Sequence, residues 1–171
     1  MADTGSPRSR AARLRQALPG GASALFGSLA WALVMGASAW LSGAMKAKAF
    51  GGSLETLVMT FAFGGLASFV PALIAYRLLG AGRSASQRFS LAFLALAGAT
   101  IVSTSLTFTL IFRSYYAKWH DGFLTGHWLE QQFVTLASAS YQFAVLGLRS
   151  FLPLGLAALF TASWLISKKP V

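Results

Sequence analysis

FVTLASASYQFAVLGLRSFLPLGLAALFTASWLI occupies residues 133–166, and Arg149 is its only charge. How this stretch is read decides the fold. It is too long for one ordinary membrane span of about 20 residues. Three layouts compete. In the first, a tilted and kinked helix begins in the membrane interface and continues across. In the second, an interfacial helix runs to about Leu148 and a span follows from about Ser150 to Ile166. In the third, two spans form a hairpin that turns near Arg149.

The rest of the chain places this stretch in a membrane. The 171 residues are 56% hydrophobic and 11% charged, against about 25% charged in soluble domains. Mean hydropathy is +0.62. Three further apolar runs precede the stretch, at 22–45, 54–79 and 89–112. Pro71 lies inside the second, where neighbouring helices can satisfy the carbonyl it frees. A polar tail, 1–20, carries Arg8, Arg10, Arg13 and Arg15 and closes on Pro19-Gly20-Gly21. Ala37-Ser38-Ala39 has the small-residue form of a signal cleavage site. The tail is long for a signal, however, and the apolar run continues past that site. An arginine- and serine-containing start also fits a mitochondrial presequence.

Positive charge chooses between the layouts, because Lys and Arg near span ends set orientation. With four spans, the tail, the 77–88 loop and the C-terminus share one side. That side carries Arg8, Arg10, Arg13, Arg15, Arg77, Arg83, Arg88, Lys168 and Lys169, nine in all, against Lys46, Lys48, Arg113 and Lys118 on the other. With five spans the division falls to eight against six. The expected fold is an all-α integral membrane protein of four transmembrane helices. The last, at 133/150–167, is preceded by or continuous with an interfacial amphipathic helix. Residues 1–20 form a basic cytoplasmic tail and 21–171 a single transmembrane domain. Both termini are cytoplasmic in a bacterial inner membrane, or on the matrix side of a mitochondrial one.

The formal charge of +10 then points to anionic lipid head groups. Nucleic acid is not an expected partner, because no run mixes dense Lys and Arg with stacking aromatics. There is no cysteine, which excludes disulfides, thiolate metal sites and cysteine nucleophiles. The chain also lacks paired in-span histidines for haem and in-span acids for proton coupling.

Arg149 is the main candidate site residue. On a helix over 131–149, Gln131, Thr135, Ser138, Gln142 and Arg149 follow spacings of four, three, four and seven, which share one face. Val145 interrupts that face, and Phe133, Leu136 and Phe143 fall elsewhere. An arginine facing lipid at mid-membrane costs roughly 2.5–3.5 kcal/mol. The stripe therefore points to a neighbouring helix, a lipid phosphate, a solute or a partner subunit. Hydroxyls on the third run (Thr100, Ser103, Thr104, Ser105, Thr107 and Thr109) are the intrachain candidates. The competing reading is an arginine that snorkels to the interface.

The segment RSYYAKWHDGFLTGHWLEQQ, 113–132, reads as a loop on the membrane surface. Tyr115, Tyr116, Trp119 and Trp128 suit the head-group layer. It also holds His120, Asp121, His127 and Glu130, the one cluster with metal or acid–base chemistry. Its spacing matches no metalloprotease motif, so neither a metal nor a cofactor is expected. Thr60, Gly64 and Ser68, and Ser28, Ala32, Ala39 and Gly43, form small-residue faces for close helix packing. No catalytic constellation is complete. The expected function is a non-enzymatic accessory or scaffold subunit of a larger membrane complex, bound to other subunits or to copies of itself. A permease component for an anionic solute is the alternative. An interfacial lipid-modifying enzyme using the His120–Glu130 cluster is a third reading.

Overall fold

The computed structural model describes residues 15–45 and 53–168. Arg8, Arg10, Arg13, Lys46, Lys48 and Lys169 lie outside the described residues. Among the described residues, a helical turn at 15–17 is followed by α1 (Gly21–Met45), α2 (Leu54–Gly80), α3 (Ala85–Tyr116), α4 (Gly126–Gln142) and α5 (Leu154–Ser167). No strand occurs among the described residues.

Local chemistry sets the boundaries. Ser53 caps α2 by accepting from the Thr56 N–H at 3.1 Å. Ser84 and Gln87 form a reciprocal capping box at the start of α3, satisfying two orphan donors. The box starts α3 one turn earlier than its apolar run does. Thr125 caps α4 by accepting from the Trp128 N–H at 3.1 Å. This last cap corrects the reading of 113–132 as loop. Helix runs through Tyr116, a 3-10 turn spans Ala117–Trp119, and α4 starts at Gly126. Apolar periodicity misses these pieces because their polar side chains bond to one another.

α1, α2 and α3 run up, down and up, packed through their small residues. A Cβ on Gly43 would meet Leu54 and Leu57, one on Gly36 would meet Ala62, and one on Gly27 would meet Phe69. A Cβ on Gly64 would meet the Thr104 side chain and come within 2.6 Å of its Cα. The small-residue faces are thus seams inside the chain: Ser28, Ala32, Ala39, Gly43, Thr60, Gly64 and Ser68 are all buried. Hydroxyls tie the seams together. Trp31 Nε1 donates to Thr100 Oγ1 at 3.0 Å. Thr100 and Ser68 hydroxyls meet at 3.2 Å, and Ser68 donates to the Gly65 carbonyl at 2.8 Å. One network thereby joins all three helices.

α5 runs down beside α1 and α3. Phe160 packs against Phe93, with ring centres 5.0 Å apart, and Tyr76 donates to the Ile166 carbonyl. Arg77 donates to the Leu18 carbonyl at 2.7 Å. The start of α1, the end of α2, the start of α3 and the end of α5 therefore share one end, here called basic. The opposite end carries two groups of rings in contact, Tyr115, Tyr116 and Trp119, and Phe123 with Trp128.

The opening stretch is broken. α4 continues through a π-turn (Phe143–Gly147) and a 3-10 turn (Leu148–Phe151), then stops. The axes of Gly126–Phe151 and Leu154–Ser167 meet at 71°. Pro153 explains the stop: it has no N–H to offer, and it pushes Leu152 into extended backbone, as Leu152 is here. α1, α2 and α3 (the last with its 3-10 extension) are each long and apolar enough to cross a membrane, and the bent pair makes a fourth if counted as one crossing.

Candidate functional site

The break is held by α1. Ser38 is fully buried. Its hydroxyl donates to the Ser150 carbonyl and accepts from the Gly155 N–H, both at 3.0 Å. One side chain thus serves an acceptor left by the end of one helix and a donor left by the start of the next. Gly155 allows the approach, since a Cβ there would lie 3.1 Å from Ser38 Oγ. Around the clasp, Phe61 meets Phe151 and Phe143 in tilted ring contacts, with centres 4.8 Å and 6.4 Å apart. Phe143 also meets Phe108 at 6.1 Å.

These contacts revise the polar stripe. Thr135 is buried, and Gln131, Ser138 and Gln142 are half-buried, so the first four members do face inward. Arg149 does not continue them. The inward positions beyond Gln142 are Phe143, Gly147 and Ser150, and Arg149 is exposed. The seven-residue step from Gln142 assumes a regular helix, and the π and 3-10 turns replace it. Phe143 turns inward where the helical wheel sets it aside. Among the described residues, the Arg149 side chain forms no hydrogen bond or ion pair. Thr100 is taken by Trp31 and Ser68, and Thr104 is sealed against Gly64.

The inner end of the stripe meets the loop instead. Arg113 Nε donates to Gln132 Oε1 at 2.6 Å. That leaves the Gln132 amide nitrogen to donate to His120 Nδ1 at 2.8 Å. The ring then carries its proton on Nε2 and donates to Thr135 Oγ1 at 3.3 Å. Thr135 donates in turn to the Gln131 carbonyl at 2.7 Å. The Asp121 N–H closes the loop on Gln131 Oε1 at 2.9 Å. Sequence reasoning missed Gln132 and Arg113 as members of this set. Their separation of nineteen residues leaves no local spacing to read.

His127 and Glu130 do share a face, with Nδ1 and Oε2 3.4 Å apart and both side chains 70% exposed. A pair so exposed contributes at most about 1 kcal/mol. His120 is engaged by Gln132 and Thr135 rather than by this pair. Among the described residues, no three His, Cys, Asp or Glu side chains are grouped to hold a metal ion. Tyr115, Tyr116 and Trp119 are exposed and Trp128 half-buried. Lys118 lies 4.2 Å above the Trp119 ring.

One apolar cleft of about 180 Å³ opens beside the break. Trp31, Met35, Ile101, Leu148, Phe151 and Leu159 contribute to its walls. Comparison with protein-family models, curated proteins and solved structures finds no match.

Proposed function

We propose that the protein is a non-enzymatic accessory subunit of a larger membrane complex. Arg149 is its contact with an anionic group of a partner or a lipid head group. The observation that carries this reading is Arg149, exposed and without a partner among the described residues, beside a break that Ser38 of α1 holds. A guanidinium on a rigid element, with no acceptor of its own, suits recognition of an external carboxylate or phosphate.

Helix lengths support a membrane placement with four crossings, the bent pair counted as one, and the bias of Lys and Arg along the sequence supports both termini on the cytoplasmic side of a bacterial inner membrane. A mitochondrial inner membrane is the alternative. α5 is about 21 Å long at about 1.5 Å per residue, short of the roughly 30 Å hydrocarbon layer. Ser38, which meets its start, stands about 10 Å from the end of α1 on the same scale. The break would then lie in the outer part of the bilayer. α4, inclined at 71° to α5, would lie along the outer interface as its amphipathic helix. Arg149 would reach the head-group layer with its extended side chain.

The test is extraction of the native protein in polymer discs followed by intact-complex mass measurement, for wild type and Arg149→Leu. The reading expects wild type within a larger assembly and a variant that stays inserted but loses those partners. Unchanged partners and bound lipid in the variant would overturn it. A reporter fused after Val171 should read as cytoplasmic.

The broken crossing favours a second reading, since discontinuous helices form solute sites in transporters. That reading requires flux of an anionic solute in liposomes above empty controls, and a change in selectivity with Arg149→Lys.

A further inference from the structure

The basic end has a site of its own, remote from Arg149. Its described cations are Arg15, Arg77, Arg83, Arg88 and Lys168, while the described carboxylates, Glu55, Asp121 and Glu130, all lie at the opposite end. Two of the arginines are occupied by helix ends. Arg77 donates to the Leu18 carbonyl and Arg83 Nε to the Leu79 carbonyl at 2.8 Å, both of which satisfy terminal acceptors. Arg88 is different. Its Nε is buried and has no acceptor among the described residues, although the residue as a whole is only half-buried. A buried guanidinium N–H without a partner is costly, because it has left water and gained no acceptor. The other N–H groups of this half-buried guanidinium can offer themselves to an anion from outside the chain, which would offset that cost.

The surroundings suggest which acceptor. Arg88 opens α3 within electrostatic reach of Tyr76, whose hydroxyl bonds α5 at Ile166. The next residue, Phe89, stacks on Phe160 at 6.3 Å, and Phe93 extends the same apolar strip. Lys168 sits 3.4 Å above the Trp164 ring. Cations therefore stand at the head of an aromatic strip that runs down between α3 and α5. A free anion would use the cations alone, whereas an amphiphile uses both.

We infer that Arg88 and Lys168 bind the phosphate of an anionic phospholipid whose acyl chain lies along Phe89, Phe93 and Phe160. The bound phosphate accepts from the Arg88 guanidinium and from the Lys168 ammonium, and Trp164 lies at head-group level. This goes beyond the Arg149 reading and does not depend on it.

The experiment uses the full chain, delipidated in detergent. Native mass measurement and thermal unfolding are followed with phosphatidylglycerol, phosphatidylcholine or inorganic phosphate added. Phosphatidylglycerol should be retained and should raise Tm, and phosphatidylcholine should do neither to the same extent. Arg88→Gln should weaken phosphatidylglycerol retention about five-fold, the factor expected for one basic residue near an anionic surface. Arg83→Gln should change it less. Equal retention of the two lipids by wild type, or unchanged phosphatidylglycerol retention by Arg88→Gln, would overturn the proposal. Stabilisation by inorganic phosphate equal to that by phosphatidylglycerol would assign the site to the free ion and overturn the lipid. If Arg88→Gln does not fold, the wild-type comparison of the three additives decides.

Discussion

The three-helix hub and the broken pair, Gly126–Phe151 with Leu154–Ser167, solve one problem by different means. Between their caps, α1, α2 and α3 keep a regular helical backbone, and side chains from neighbouring helices only hold the helices together. Trp31, Ser68 and Thr100 do this from three different helices. At the break the backbone itself needs help. The Ser150 carbonyl and the Gly155 N–H depend on a hydroxyl from α1. Irregular backbone at membrane depth is tolerated where protein covers it, and Ser38 with Gly155 supplies that cover. Loss of the Thr100 hydroxyl in the hub should thus remove contacts between side chains only, whereas loss of the Ser38 hydroxyl strands two backbone groups.

Substitutions can break or sharpen this contrast. The largest effect should come from the hub seam. Gly64→Val forces α2 and α3 apart at Thr104 and should destabilise by about 3 kcal/mol, at the upper end for overpacking. Gly98→Val on α3 meets nothing within 4 Å and should unfold like wild type; thermal unfolding in detergent compares the two. Next, Ser38→Ala should cost about 2 kcal/mol, the range for buried polar groups left unpaired. Hydrogen exchange should rise at Gly155 and its neighbours while α2 stays protected. Thr100→Val frees the Trp31 indole and should cost about 1 kcal/mol, as for a hydrogen bond between membrane helices. A Thr100→Val loss larger than that of Ser38→Ala would reverse the comparison. The smallest effect should come from His120→Phe, about 0.5 kcal/mol. Its mark would be faster exchange at Asp121, whose N–H depends on Gln131, with no change at the break.

Much of the architecture could be read from residues alone. The spans at 22–45 and 54–79 match α1 and α2 because their apolar runs end where Gly, Ser and charge begin. The serine, threonine and glycine faces were recognisable as packing surfaces, since close approach requires small residues. The third run was underestimated because its ends are polar helix, extended by the Ser84–Gln87 capping box at one side and by Arg113–Tyr116 at the other. Residues 113–132 resembled a loop for the same reason.

The candidate site was harder to read. Gln131, Thr135, Ser138 and Gln142 could be grouped by helical spacing, and they do turn inward. Arg149 could not, because spacing assumes a regular helix and the π-turn at Phe143–Gly147 has no sequence signature of comparable strength. Ser38 was visible only as the middle of a small-residue triplet. Its role depends on a contact more than a hundred residues away in sequence, for which no local pattern exists. The His120 set fails in the same way, since Arg113 and Gln132 lie on different helices.

The most direct test of the clasped break exploits the absence of cysteine from the chain. A Cβ on Gly155 would stand 3.6 Å from the Ser38 Cβ, within the range of about 3.5–4.5 Å that disulfides require. Single thiols are introduced by Ser38→Cys and Gly155→Cys in one chain, and by Ser38→Cys with Arg149→Cys as the control. Mild oxidation in native membranes should crosslink the first pair and leave the exposed control pair free. Failure of the first pair to crosslink, with both thiols still reactive to a membrane-permeant maleimide, would contradict the account: α1 would then not hold the break.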